Sequence, residues 1–255
     1  MKAHVVVPAR LASTRLPGKP LALIQGIPMI VRVMMAVQDA GVDSVIAAVD
    51  DSSVAAAVEA AGYDAMLTAQ DHPSGSDRVM EVVSRSGWDD TDIVINVQGD
   101  EPLLPVSLVS QLADLMRTDP MMEMATVSEP ILTVADFLNP NIVKVVTTTQ
   151  GDALYFSRAP IPLPRDLILN DALTDSQIDV FKPQRHVGLY AFRVKALRKF
   201  VSLRDAQLED IESLEQLRWL EAGGRIRVLP SPVPVPGGVD TPEDLARVEQ
   251  ILLAQ

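Results

Sequence analysis

The 255-residue chain has no cysteine, which removes disulfides, thiolate nucleophiles and cysteine-type zinc sites in one step. Aromatic residues make up only 4%, so Val, Ile, Leu, Ala and Met must supply most of the packing. The start, MKAHVVVPAR, has an apolar run of about three to five residues before a proline and a charge, too short for a signal-peptide core. No window approaches the roughly 18 apolar residues that span a bilayer. These absences lead us to expect a cytoplasmic chain with no membrane partner. No Lys/Arg-rich run relieves the formal net charge of −12, and a protein this acidic repels a nucleic-acid polymer. Neither GxGxxG nor GxxxxGK[ST] occurs, which argues against dinucleotide-dependent hydride transfer and P-loop chemistry.

What is present is a 47% apolar composition, enough for a full core in one large domain. His4 to Val7 reads as a buried strand stopped by Pro8. A helix follows from Pro28 to Ala40, closed by Gly41, and then a strand from Ser44 to Val49. The alternation continues with a helix from Asp51 or Ser52 to Ala61, a strand over Asp64 to Leu67, a helix over Ser76 to Ser86, a strand over Asp92 to Val97 and a helix after Pro105. This order predicts a mostly parallel sheet covered by helices on both faces, Rossmann-like in outline.

The pattern changes beyond that point. Strands are expected at Met124 to Pro130, Val143 to Thr149, Ala153 to Ser157 and Val187 to Phe192. The polar, proline-rich interval from Pro160 to Arg185 is a long excursion of the kind that serves as a dimer arm. A helix over Ile211 to Glu221, a strand over Arg225 to Leu229, and a final helix opened by Thr241-Pro242-Glu243 complete the chain. We expect one α/β domain over 1–255 with an inserted mixed α+β subdomain at about 130–200.

Three segments carry chemistry. The first, PARLASTRLPGKP, leaves strand one where open α/β sheets place their ligands, and Arg10, Arg15 and Lys19 make it an anion loop suited to a polyphosphate. The second, QGDEP, presents Asp100 at the end of an apolar strand. The third, GVDTP, presents Asp240 at a turn before a helix. Two carboxylates completed by substrate phosphates are a usual way of holding Mg²⁺. Taken singly, each aspartate also suits a turn or cap. His4, inside a buried strand, reads as a packing residue, and the pairs Met34-Met35 and Met121-Met122 read as gap-fillers or interface residues rather than a cofactor box.

Together with HPSGSDR, VINVQGDEPL, ALYFSRAPIP, RHVGLYAFR and LEDIESLEQLRWLEAG, these blocks run in order from residue 8 to residue 245. They resemble the 3-deoxy-manno-octulosonate (Kdo) cytidylyltransferase family. The resemblance implies a nucleotidyltransferase A type fold, a homodimer, and the reaction of CTP with Kdo to give CMP-Kdo and pyrophosphate for lipopolysaccharide synthesis. It also implies Mg²⁺ bound by Asp100 and Asp240. By the same resemblance Arg10 and Lys19 hold the triphosphate with Arg15 nearby, and Pro8, Ala9, Ser74, Gly75 and Arg78 shape the cytidine pocket. Gln98, Arg158, His186, Tyr190, Glu212, Glu215 and Gln216 read the sugar.

An acid sugar needs a cation for its carboxylate, and sequence leaves open whether Arg158 or Arg185 supplies it. Two departures from the family pattern stand out. Leu163-Pro164 replaces an expected Trp-Asp pair in the arm, and Ser76-Asp77 replaces Thr-Glu. A sister enzyme for a modified acid sugar such as 8-amino Kdo, and a non-catalytic nucleotide-sensing protein, are the rival readings. The second conflicts with the presence of Arg10, Lys19, Asp100 and Asp240 together.

Overall fold

In the computed structural model, which describes residues 1–203 and 206–254, the first half of the chain alternates strand and helix. β1 (Ala3–Ala9) leads through a 3-10 helix (Lys19–Leu21) and a small hairpin, β2 (Leu23–Ile24) and β3 (Ile27–Pro28), into α1 (Met29–Val37). Next come β4 (Ser44–Val49), α2 (Ser52–Ala60), β5 (Asp64–Leu67), α3 (Gly75–Ser86), β6 (Ile93–Asn96) and α4 (Val106–Thr118). The second half contains β7 (Met124–Pro130), α5 (Val134–Leu138), β8 (Lys144–Thr147), β9 (Ala153–Ser157), α6 (Arg165–Leu169), α7 (Asp175–Phe181) and β10 (Gln184–Arg193). It closes with α8 (Val194–Ser202), α9 (Gln207–Glu212), α10 (Leu217–Glu221), β11 (Arg227–Pro230) and α11 (Pro242–Leu253).

The main sheet runs β11-β7-β10-β6-β1-β4-β5, with β8 paired to β10 and β9 paired to β8. β1 pairs in parallel with β4 and with β6, β4 with β5, and β11 with β7. β10 is antiparallel to both neighbours, so along the seven-strand path it alone runs against the rest. All seven residues of β1 are buried, as a central strand covered on both faces requires. Alternate residues feed two cores. Val5, Val7, Ile93 and Ile95 pack under α1 and α4, while Val6, Val94, Tyr190 and Phe192 pack under α3 and α8. Because the chain leaves β1 toward β4 and later returns to place β6 on its other side, the carboxyl ends of β1 and β6 flank the switch point where such sheets bind ligands.

Several expected elements differ. β1 does not stop at Pro8 but runs on to Ala9: the β6 ladder ends at Val6, and Pro8 pairs only with β4, so its missing N–H disturbs no ladder on that side. α1 begins at Met29 with Pro28 as its cap and ends at Val37, where Ala40 N–H turns back to the Val37 carbonyl in a tight final turn. The helix expected over Ile211 to Glu221 is two short helices broken at Ser213, which sits at φ 52. The reason is tertiary: the Glu212 and Ser213 carbonyls accept from the Arg158 guanidinium at 2.7 and 3.3 Å instead of continuing a helical ladder. The Pro160 to Arg185 excursion holds α6 and α7, and its last two residues already belong to β10. α5 and α8 were not anticipated, although Val194, Leu197 and Phe200, all buried, carry the helical spacing of α8.

The end of β10 is fixed by Arg193, 1% exposed. Its guanidinium donates to the carbonyls of Met116 (2.5 Å), Asp119 (3.1 Å), Met122 (3.2 Å) and Thr91 (3.0 Å), and so satisfies carbonyls at the C-terminal end of α4. Replacing it by Met would leave several buried carbonyls without a donor. We therefore expect Arg193→Met to lower the unfolding free energy by about 3 kcal/mol in urea titration, with a change below 1 kcal/mol showing that water replaces the guanidinium.

Candidate active site

Three loops meet over the carboxyl edge of the sheet: residues 10–18 after β1, Gln98 to Glu101 after β6, and Gly238 to Asp240 before α11. The Val239 N–H donates to the Asp100 carbonyl at 2.8 Å, which joins the second loop to the third. A β-carbon on Gly238 would stand 2.9 Å from Glu101 Oε1 and 3.0 Å from the Asp100 carbonyl oxygen, and one on Gly99 would stand 2.7 Å from the Pro8 carbonyl oxygen. Only glycine lets these backbones approach so closely. Asp240 is held from below by α11, where Thr241 and Asp244 form a reciprocal cap and Pro242 occupies the first turn.

The result is a pair of carboxylates with a cation between them. Lys19 Nζ lies 2.5 Å from Asp100 Oδ2 and 3.0 Å from Asp240 Oδ1, and an Arg15 Nη2 lies 2.9 Å from Asp240 Oδ2. Burial alone would lower the pKa of the Lys19 ammonium, but Asp100 and Asp240 outweigh it and hold the group above its ordinary value. Beside them, the Glu101 carboxyl is pushed up to about 8, first by burial and then by the charges of Asp100 and Asp240, against the pull of Arg185 and Arg247. Lys19 and Arg15 thus balance the two aspartates, and Glu101 beside them is held largely protonated at neutral pH.

These residues form one end of a cavity of about 500 Å³. Pro8, Ala9, Arg10, Arg15, Lys19, Ser74, Gly75 and Arg78, expected on the nucleotide side, all line it, as do Gln98, Asp100 and Asp240. Ser74 caps α3 by accepting from the Asp77 N–H, so a capped helix N-terminus also borders the cavity, a favourable setting for an anion. Arg78 is buried and committed: it donates to Thr68 Oγ1 (2.5 Å) and the Ala69 carbonyl (2.9 Å) and lies 3.5 Å from Asp50. Asp50 in turn accepts from the Leu11 N–H at 2.8 Å. Arg78 therefore builds the wall that roots the basic loop. Arg10 is exposed and makes no ion pair among the described residues.

Sequence reasoning missed Asp50 and His72. His72 also lines the cavity, with its Nε2 2.6 Å from Glu81 Oε2; its signal was its place at the head of HPSGSDR. Asp50 had no local signal, because its role depends on β4 lying beside β1.

The residues expected to read the sugar do not line this cavity, Gln98 excepted. They form an adjoining wall. Arg158 follows β9 and binds the α9–α10 turn, where Glu212 accepts from Ser157 Oγ (2.6 Å) and the Arg158 N–H (2.9 Å). Glu215 accepts from Ser76 Oγ at 2.9 Å, next to Gly75 of the cavity, and burial raises its pKa. His186 and Tyr190 sit on β10 with rings 5.3 Å apart, in a file of aromatic contacts running Phe156, His186, Tyr190, Phe192, Phe200, Trp219. Gln216 is buried, and its Nε2 and both polar atoms of Asn96 find no hydrogen-bond partner among the described residues. Arg185 faces elsewhere: it pairs with Glu129 and donates to the Val235 carbonyl at 2.5 Å.

The donor set suits a small hard cation. Asp100 and Asp240 offer oxygens already gathered around one positive charge, the Lys19 ammonium. Among the described residues no group of three or more His, Cys, Asp or Glu converges as a metal cage. Two carboxylates with room for substrate oxygens fit Mg²⁺, which is bound in that manner rather than in an all-protein cage. No helix among the described residues is long and apolar enough to cross a membrane.

Comparison with known proteins agrees with this geometry. The sequence profile described as cytidylyltransferase matches residues 4–226. The chain is 48% identical over 257 residues, 99% of its length and 95% of the relative's, to a 3-deoxy-manno-octulosonate cytidylyltransferase of Psychrobacter arcticus. It is 48% identical over 254 residues to one of Cellvibrio japonicus, covering 99% of this chain and 98% of that one. A solved structure of CMP:2-keto-3-deoxy-manno-octonic acid synthetase complexed with CTP superposes with a TM-score of 0.89 at 42% identity, covering 100% of this chain and 99% of the other.

One consequence of the adjoining wall is accessible to titration. Burial, and then the charge of Arg185, lowers the His186 pKa from 6.5 to about 3. A base depressed in the folded state contributes stability that is full above about pH 6.5 and is lost as pH falls toward about 3. In the unliganded protein the His186 imidazole should therefore remain neutral at pH 5 by nitrogen NMR, and a midpoint near its ordinary value would show the wall to be open to solvent.

Proposed function

Because the chain belongs to the cytidylyltransferase family, as one of its 3-deoxy-manno-octulosonate cytidylyltransferases, we propose that it joins CTP and Kdo to give CMP-Kdo and pyrophosphate with Mg²⁺ as cofactor. The observation that carries this reading is the Lys19 ammonium seated between Asp100 and Asp240 at the end of a cavity lined by Arg10, Arg15 and Arg78. A triphosphate and a divalent cation satisfy that set of charges together; neither does so alone.

The anomeric hydroxyl of the sugar attacks the α-phosphorus of CTP, the bond from that phosphorus to the bridging oxygen breaks, and pyrophosphate leaves. The protein's contribution is positioning and charge. Arg10 and Lys19 offset the charge of the leaving group, and Ser74, Gly75, Pro8 and Ala9 shape the nucleoside pocket. Asp100 and Asp240 would hold Mg²⁺, which would supply charge neutralisation at the phosphate and a lower pKa for the attacking hydroxyl. Gln98 stands where the cavity meets the sugar-side wall. Of the two arginines considered for the sugar carboxylate, Arg158 is favoured, because Arg185 is already neutralised by Glu129.

Lipopolysaccharide assembly is the process that such a product serves, and the cytoplasm the compartment that supplies CTP. A homodimer formed through the 130–200 region is supported by Leu132, Leu138, Leu163, Leu169 and Val180, all exposed apolar side chains there. Light scattering at micromolar protein should report twice the 27.6 kDa chain mass; a monomer refutes the dimer.

Purified protein should release pyrophosphate only when CTP, Mg²⁺ and Kdo are all present. Release with 8-amino Kdo but not Kdo would keep the class of reaction and overturn the sugar. Asp100→Ala and Asp240→Ala should each lose about 10³-fold in turnover while staying folded, since a metal ligand contributes several kcal/mol at the transition state. Near-normal turnover in either would sink the metal assignment.

A further inference from the structure

Lys144 lies on β8, outside the cavity, and has been given no role in the site above. It is 0% exposed, yet it makes no ion pair among the described residues. Its ammonium donates instead to three backbone carbonyls, those of Asn139 (2.9 Å), Ile142 (2.6 Å) and Arg158 (2.6 Å). An ammonium has three protons to donate, so all are committed and none is left for a ligand. Burying such a charge without a carboxylate is costly, and a residue chosen only for packing would be an apolar one.

The three carbonyls show what the charge holds. Two belong to the loop 139–142, and that loop's Pro140 carbonyl accepts from Arg158 Nη1 at 3.1 Å. The third is the carbonyl of Arg158 itself. Lys144 thus fixes Arg158 at both ends: its backbone directly, and its guanidinium through the loop. The remaining guanidinium bonds go to the Glu212 and Ser213 carbonyls, again neutral acceptors. Glu212 is the one carboxylate bonded to this group, and it is reached through the Arg158 N–H and the Ser157 hydroxyl. Two cations against one carboxylate leave a surplus positive charge at the wall assigned to the acid sugar.

We propose that Lys144 is a positioning residue for the acid-sugar subsite: it locks the loop 139–142 and the backbone of Arg158 so that the Arg158 guanidinium, held only by carbonyl dipoles, keeps its charge for the carboxylate of the incoming sugar. The proposal rests on the reading of Arg158 as the carboxylate-binding cation.

The test compares the unaltered protein with Lys144→Met, which keeps the length without the charge, and Lys144→Gln, which keeps a donor, each in the unaltered and the Arg158→Met background. Both single variants should raise KM for Kdo ~10-fold, the effect of losing ground-state binding through a displaced group. KM for CTP and the melting temperature should change far less, with Lys144→Gln the milder. In the Arg158→Met background, Lys144→Met should add nothing further. An unchanged KM for Kdo, an equal loss for CTP, additive effects with Arg158→Met, or failure of both variants to fold would each overturn the proposal, the last by making Lys144 a core residue. Absence of turnover by the unaltered protein would remove the activity itself, an outcome distinct from an active protein indifferent to Lys144.

Discussion

Two carboxylates brought to a common point repel each other, by about 4 kcal/mol at 4 Å in a partly screened surface site. Much of the arrangement around the cavity answers that repulsion. Asp100 and Asp240 come from loops 81 and 221 residues from Lys19 in sequence, and the ammonium between them is what makes their proximity tolerable. The strand order delivers both loops to the same edge, because β11 runs parallel to β7 and, across β10, in the same direction as β6. Glycines at 99 and 238 remove the side chains that would hold the loops apart, and the Val239 to Asp100 backbone bond closes the gap. The site is therefore built for positive charge before any ligand arrives.

Cations are held in two different ways. Around the cavity they are placed against carboxylates or left in solvent, as Lys19 and Arg10 are. On the wall proposed to read the sugar, Arg158 and Lys144 are satisfied by carbonyl oxygens, which orient a charge without neutralising it. β10 connects the two: running against its neighbours, it carries His186 and Tyr190 past the carboxyl end of β6, close to Gln98.

How much of this was legible in the sequence depended on range. β4, β5, β7 and β9 have the boundaries that apolar runs and glycine stops gave them, because each is bounded by local chemistry. The loop from Pro8 to Pro20 and the two aspartates were visible as residue types at strand ends. The break at Ser213 was not, since it is imposed by Arg158 from more than fifty residues away. Asp50 was invisible for the same reason, being functional only because β4 lies beside β1. The residues expected to read the sugar came from family resemblance alone, and their separation from the main cavity is a property of the packed wall that has no counterpart in spacing.

The file of rings from Phe156 to Trp219 has an optical consequence. The chain contains two tryptophans. Trp88 stacks on His4 at 3.9 Å and has no ring contact in the file, whereas Trp219 is 1% exposed and ends the file that passes through His186 and Tyr190. A rigid, dry indole emits at short wavelength and accepts excitation from nearby tyrosine. The protein thus carries an intrinsic chromophore joined through four ring contacts to His186, so that events at that wall have a path to the emission of an unlabelled chain.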